Sequence, residues 1–152
     1  MGDARDDDLR LGLDTIYQPD GSPWMVPAYR FDMLVHGTKV GTISLRVGDN
    51  ERLVRYAGHV GYAVDEPWRG RRLAERATRL LFPLAKAHGL DPLWIGCNPD
   101  NAASRRTLER LGATLVEVVA LPPDYDRYYS RGEREKCRFR LSLGGLDAGV
   151  AA

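Results

Sequence analysis

Between His59 and Ala74 the chain changes its period, and that change limits the folds open to it. The run His59-Val60-Gly61-Tyr62-Ala63-Val64 suits a strand. It stops at Asp65-Glu66-Pro67, because proline has no N–H for a ladder and pushes its predecessor away from helical angles. Beyond it, Leu73, Ala77, Leu80, Leu81 and Leu84 recur at helical spacing, predicting a helix over 71–88 capped by Gly89. Pro83 should kink or split that helix. The turn between strand and helix is Trp68-Arg69-Gly70-Arg71-Arg72. The first N–H groups of a helix lack intrahelical partners and sit at the positive end of its dipole. Arginines crowding such a start make a polyanion site, which suits the pyrophosphate of a nucleotide-like cofactor.

The rest of the 152 residues supplies the strands such a unit needs. Alternating apolar and polar residues predict strands over 9–17, 29–36 and 40–47, with a tight hairpin at His36-Gly37-Thr38-Lys39. Residues 18–27, with three prolines, read as a loop, and a polar link over 48–52 leads into the strand ending at Val64. Further on come a strand over 93–97, a helix over 102–111 capped by Asn101 and ended by Gly112, and a strand over 113–121. A long loop over 122–133 and a last strand over 136–143 follow. This β-β-β-β-α-β-α-β-β order implies a single-domain α/β (α+β) fold: a mixed, mostly antiparallel twisted sheet with helices packed on it. The domain is expected over 8–143, with a disordered acidic start over 1–7 and a flexible tail over 144–152.

Twenty-two basic against twenty-one acidic residues argue against a general nucleic-acid binder, so positive charge must act locally. Cys97 and Cys137 fit neither a zinc pattern nor a disulfide framework and read as buried free thiols. No apolar run is long enough for a membrane span, and the acidic start is unlike a signal peptide. These features predict a reduced, cytoplasmic protein without membrane or nucleic-acid partners.

Two segments carry a family resemblance. Arg69-Gly70-Arg71-Arg72-Leu73-Ala74 resembles the acetyl-CoA signature Arg/Gln-x-x-Gly-x-Gly/Ala of the Gcn5-related N-acetyltransferases (GNAT). Asn101-Ala102-Ala103-Ser104-Arg105-Arg106-Thr107-Leu108-Glu109-Arg110-Leu111-Gly112-Ala113 resembles their second motif, in the version of the ribosomal-protein acetyltransferases of the RimJ and RimL kind. The resemblance covers 56–143 well and the first 50 residues weakly. It implies acetyl-CoA as co-substrate and direct transfer of acetyl to a primary amine: a protein N-terminus, a lysine or a small amine. Tyr62, Ala63 and Val64 would pair with the pantetheine, the turn Arg69, Gly70, Arg71, Arg72, Leu73 and Ala74 would cradle the pyrophosphate, and Asn101 and Ser104 would meet the cofactor arm. Arg72 departs from the family by standing where glycine is usual.

The acid and base are less legible. Many family members carry a glutamate in the fourth or fifth strand, where Gly58 and Gly96 fall here, and a tyrosine in the second helix, where Leu108 falls. His59 reads as a base, acting directly or through water, or as a buried strand histidine satisfied by hydrogen bonds. Tyr128 and Tyr129 read as substitutes for the missing tyrosine or as lining of the acceptor pocket. Trp24, Met25 and Tyr29 fall where the family places acceptor-binding elements. Arg76 and Arg79 read as a solvated basic face. An exposed edge strand would allow a homodimer. Two other classes stay open: a CoA-binding module without catalysis, and a nucleic-acid binder using the arginine turn.

Overall fold

A computed structural model describes residues 4–19 and 25–144; Trp24 and the tail from residue 145 lie outside the described residues. Strands β1 (Ala4–Asp6), β2 (Leu9–Tyr17), β3 (Ala28–Val35), β4 (Thr38–Arg46) and β5 (Val60–Val64) pair antiparallel in that order. A second antiparallel sheet holds β6 (Leu93–Cys97), β7 (Thr114–Ala120) and β8 (Glu135–Leu141), with β8 in the middle. Helices α1 (Leu73–Ala87), α2 (Ala102–Arg110) and the short α3 (Asp126–Tyr129) complete the α/β domain. The expected single sheet is thus divided in two. Among the described residues β5 and β6 share no ladder; the chain just before β5 meets β6 at the Gly58–Ile95 bridge and where the His59 N–H donates to the Trp94 carbonyl at 2.6 Å.

Leu9, Leu11, Phe31, Met33, Ile43 and Leu45 alternate along the first sheet and point one way, as a period of two requires. They form one core with Leu73, Ala77, Leu81 and Ala85 of α1 and with Ile95, Leu108 and Phe139. The β3–β4 hairpin turns on His36 and Gly37, both at positive φ (50° and 81°), which matches the twist of the flanking strands.

Three expectations change. The start is ordered from Ala4: Asp6 and Asp8 accept from Arg76 at 2.8 and 2.6 Å, so Arg76 ties the first hairpin to α1 instead of lying on a solvated face. Arg79 stays on the exposed face, where it reaches Glu75 and the Arg110 carbonyl. Residues Leu53–Ala57 form a π-helical turn, not the beginning of a strand. Asn50 Oδ1 accepts from the Leu53 N–H at its start, and Gly58, at φ 76°, donates to the Leu53 carbonyl at its end. Third, α1 runs unbroken past Pro83, which is exposed together with Arg79. The Arg79 carbonyl that proline leaves without a donor is therefore near solvent. No helix among the described residues is long and apolar enough to cross a membrane.

Candidate active site

Two grooves meet in the gap between β5 and β6. The first, of about 630 Å³, runs from Tyr62, Ala63 and Val64 on β5, across Arg69, Gly70, Arg72, Leu73 and Ala74, to Asn101 and Ser104 on α2. The turn that shapes it begins with Pro67 in a short 3-10 turn, Glu66–Trp68. Gly70 follows at φ 85° and Arg72 at φ 58°, so the residue in the family's glycine position takes the left-handed backbone that glycine takes without strain. Helix α1 starts directly after it, with no side-chain cap. Its first amides are therefore not taken by a cap. Arg69 Nε donates to the Val64 carbonyl at 2.9 Å, fixing the turn to the end of β5.

Helix α2 forms the opposite wall. Asn101 Oδ1 caps it by accepting from the Ser104 N–H at 3.1 Å. Ala103, Arg106, Thr107 and Arg110 face the same groove. Their spacing of 3, 1 and 3 is one helical stripe, and that signal was available in the sequence although Arg106 and Arg110 were not singled out. Glu75 on α1 accepts from Arg110 Nε at 2.8 Å. Arg71 does not line the groove: its guanidinium lies 4.7 Å over the Trp68 ring.

The second groove, of about 380 Å³, opens on the other face of the first sheet. Thr42, Ser44 and Arg46 form its floor at the period-two positions of β4 that face away from the core. Gly61 and Ala63 stand opposite Ser44 and Thr42 in the register and leave the space open. Tyr56 and Ala57 of the π-helical turn form one side, and Arg127, Tyr128, Arg131 and Lys136 form the other. Tyr62, Ala63, Asn101 and Ser104 line both grooves. At that junction the Tyr62 hydroxyl lies 2.8 Å from Ser104 Oγ, and burial pushes its pKa up to about 12. Burial also pushes the Cys97 thiol up to about 11, and Cys97 lines the second groove beside its cross-strand neighbour Cys137. Both cysteines are free.

Tyr128 is 6 % exposed, with Lys136 Nζ 4.3 Å from its ring centre. His59 is 3 % exposed and lines neither groove. Its Nδ1 accepts from the Trp94 N–H at 2.9 Å and its Nε2 lies 2.9 Å from the Gly48 carbonyl. Only the neutral tautomer protonated at Nε2 satisfies both, so the ring has no free nitrogen for a substrate proton. The expectation of a base is corrected to its alternative, a strand histidine satisfied by backbone. Burial holds its pKa below the usual value, and the Arg46 charge lowers it further. Met25 and Tyr29 line neither groove; the Tyr29 hydroxyl is 2.8 Å from His88 Nε2 at the end of α1. No His, Asp or Glu lines either groove among the described residues.

The His59 geometry has a thermodynamic consequence. The folded chain keeps His59 neutral, while the unfolded chain takes up a proton below about pH 6.5. Stability from this group is therefore full above that pH and is lost as pH falls toward the lowered folded value. Denaturant titrations between about pH 7.5 and 5 should show this decline in the parent and a shallower one in His59→Gln. Equal slopes would mean that the ring is not held neutral.

The sequence model of the family described as "Acetyltransferase (GNAT) domain" matches residues 6–114. The chain belongs to the GNAT family. Among curated proteins none matches it. The GNAT fold recurs in ribosomal-protein-S5-alanine acetyltransferase from Vibrio fischeri, 22% identical over 76% of this chain and 61% of that one, with a TM-score of 0.60. Mycobacterium smegmatis RimJ in complex with CoA-disulfide is 20% identical over 78% of this chain and 55% of its own, with a TM-score of 0.60. The microcin C7 self-immunity acetyltransferase MccE, in complex with acetyl-CoA and AMP, is 18% identical over 76% and 61%, with a TM-score of 0.59. The chain thus spans about three fifths of the length of the first of these GNAT proteins.

Proposed function

We propose that this domain is an acetyl-CoA-dependent N-acetyltransferase that passes acetyl directly to a primary amine. The observation that carries the reading is the meeting of two grooves at Tyr62, Ala63, Asn101 and Ser104. One groove has the uncapped start of α1 and four arginines, Arg69, Arg72, Arg106 and Arg110, suited to a polyanion. The other opens on the gap between the sheets, where an amine can approach. Acetyl-CoA in the first would place its pyrophosphate at the Arg69–Ala74 turn, its pantetheine beside Tyr62, Ala63 and Val64, and its thioester near Ser104. The GNAT proteins of similar fold include ones solved with acetyl-CoA or with a CoA-disulfide.

The reaction balances without a covalent enzyme intermediate. The amine nitrogen attacks the thioester carbonyl carbon, the C–S bond breaks, the nitrogen gives up one proton and the thiolate takes one. Holding amine and thioester in line can supply on the order of 7 kcal/mol of the barrier. Tyr62 is a poor proton donor to the thiolate: with a pKa of about 12, its proton would move uphill to a thiol of ordinary acidity, about 8.5. Its hydroxyl, placed by Ser104, suits hydrogen bonding to the sulfur instead. Tyr128 is the proposed proton donor from the acceptor side. His59 is a positioning residue that holds the base of β5 against β6. The two buried thiols suit a reducing cytoplasm.

The test is thiol release from acetyl-CoA with peptides of varied N-terminus, polyamines and amino sugars. Release that depends on the acceptor supports the reading. Tight acetyl-CoA binding with no release from any acceptor would support a binding module instead. In calorimetry, Arg69→Ala should weaken acetyl-CoA binding by about tenfold or more, the scale of one hydrogen bond to a charged group. Arg71→Ala should change it little, because Arg71 rests on Trp68. An unchanged affinity in Arg69→Ala would remove the pyrophosphate from this turn.

A further inference from the structure

The charge of the second groove narrows the acceptor. Four basic side chains line it, Arg46, Arg127, Arg131 and Lys136, and no carboxylate does among the described residues. Glu133 offsets part of this charge, accepting from Lys136 at 2.6 Å and pairing with Arg131 at 2.9 Å. Arg46 and Arg127 have no such partner among the described residues. Arg46 Nη1 donates to the Ala57 and Gly58 carbonyls at 3.3 and 3.0 Å, which leaves its Nη2 and Nε without a hydrogen-bond partner. Gly61 leaves room for that guanidinium: a Cβ there would stand 3.0 Å from Nη2.

This guanidinium is the end of a row. Thr42, Ser44 and Arg46 project at period-two spacing from one strand, so two hydroxyls and a forked cation face the same space. Burial lowers the pKa of Arg46 and the Arg127 charge lowers it further, while the guanidinium stays charged. An unpaired guanidinium in that setting gains from any anion that enters. A polyamine or an amino sugar would instead bring further positive charge against Arg46 and Arg127.

We infer that the acceptor is an amine carrying a carboxylate or phosphate a few bonds from its nitrogen, the anion seated between the Thr42–Ser44–Arg46 row and Arg127. The inference rests on the transferase reading for the amine's role, but the anion site itself does not.

Matched acceptors test it at constant ionic strength: O-phosphoethanolamine against ethanolamine, and β-alanine against its amide, with thiol release as readout. At least one anionic member should exceed its neutral partner in kcat/KM by about tenfold, as one charge-assisted contact would give. The pair that shows the preference tells phosphate from carboxylate. Arg127→Glu, a change at an exposed position, should erase the preference, with acetyl-CoA affinity reporting that the fold is kept. Turnover of the neutral partners as fast as the anionic ones would overturn the anion site and leave the transferase standing. If nothing turns over, thermal melting decides. A rise in Tm with O-phosphoethanolamine and not ethanolamine, lost in Arg127→Glu, would keep the anion site, while the wider acceptor panel decides the transferase. No rise would overturn the anion site.

Discussion

Replacing Gly58 by alanine should cost the fold about 3 kcal/mol, the sum of one strained backbone and one overpacked contact. Gly58 has φ 76°, and a Cβ there would stand 2.7 Å from the Trp94 carbonyl oxygen, 2.9 Å from the Gly96 nitrogen and 3.0 Å from Ile95 Cα. All three are backbone, so none can swing away. Domains of this size are stable by about 5–15 kcal/mol in total, so the change takes a large share. Two other glycines separate the causes. Gly37 has φ 81° with nothing within 4 Å of its Cβ position, so Gly37→Ala should show the strain alone, about 1 kcal/mol. Gly96 has ordinary φ but a Cβ 2.8 Å from the Tyr56 carbonyl oxygen, so Gly96→Ala should show the contact alone, about 2 kcal/mol. Denaturant midpoints at constant m would measure all three. A Gly58→Ala cost no larger than that of Gly37→Ala would mean that the two sheets do not meet as closely as the bridge implies.

The same contacts explain the missing base. Glutamate is usual in this family at the places of Gly58 and Gly96, and here the Gly58–Ile95 bridge and the π-helical turn fill the space its Cβ would need. The departure is therefore built into the backbone and extends beyond two side chains. It also frees the Ala57 and Gly58 carbonyls, which accept from Arg46.

What could be read from the sequence depended on the range of the interaction. The hairpin at His36-Gly37 and the Asn101 cap follow from residues two or three positions apart, and both were legible. The first groove draws mostly on one strand–turn–helix unit and the start of α2, so its outline was legible too, apart from Arg71 and the stripe carrying Arg106 and Arg110. Ala4–Asp6 pair with Leu9–Leu11 across a tight turn, and Asp6 is held by Arg76, seventy residues away, a contact that no local pattern in an acidic start announces. The π-helical turn was hidden because Leu53, Val54 and Tyr56 suit a strand, while the Asn50 cap and Gly58 decide otherwise. The second groove was least legible. It takes residues from β4, β5, the turn, β6, α2, α3 and β8, and only the topology brings them together.

The rate of transfer should rise about tenfold per pH unit below the pKa of the acceptor amine, about a hundredfold over two units, and the limb should follow the acceptor. Only the neutral amine attacks, and no Asp, Glu or His among the described residues lines either groove to take its proton. His59 cannot impose its own limb, because burial keeps it neutral throughout this range and both its nitrogens are engaged. Tyr62, at about 12, stays protonated across the same range, so its hydroxyl adds no falling limb. Arg46 and Arg127 accept no proton, but their charges would favour the neutral amine: a nearby like charge disfavours the ammonium form and draws the amine pKa down in the groove. Arg127→Glu should therefore move the limb toward higher pH for a given acceptor, and an amine of lower intrinsic pKa should move it toward lower pH. Measuring kcat/KM against pH for two acceptors of different basicity separates the cases. A limb fixed at one pKa whichever amine is supplied, and unmoved by Arg127→Glu, would place the proton acceptor on the protein, outside the residues that line these grooves.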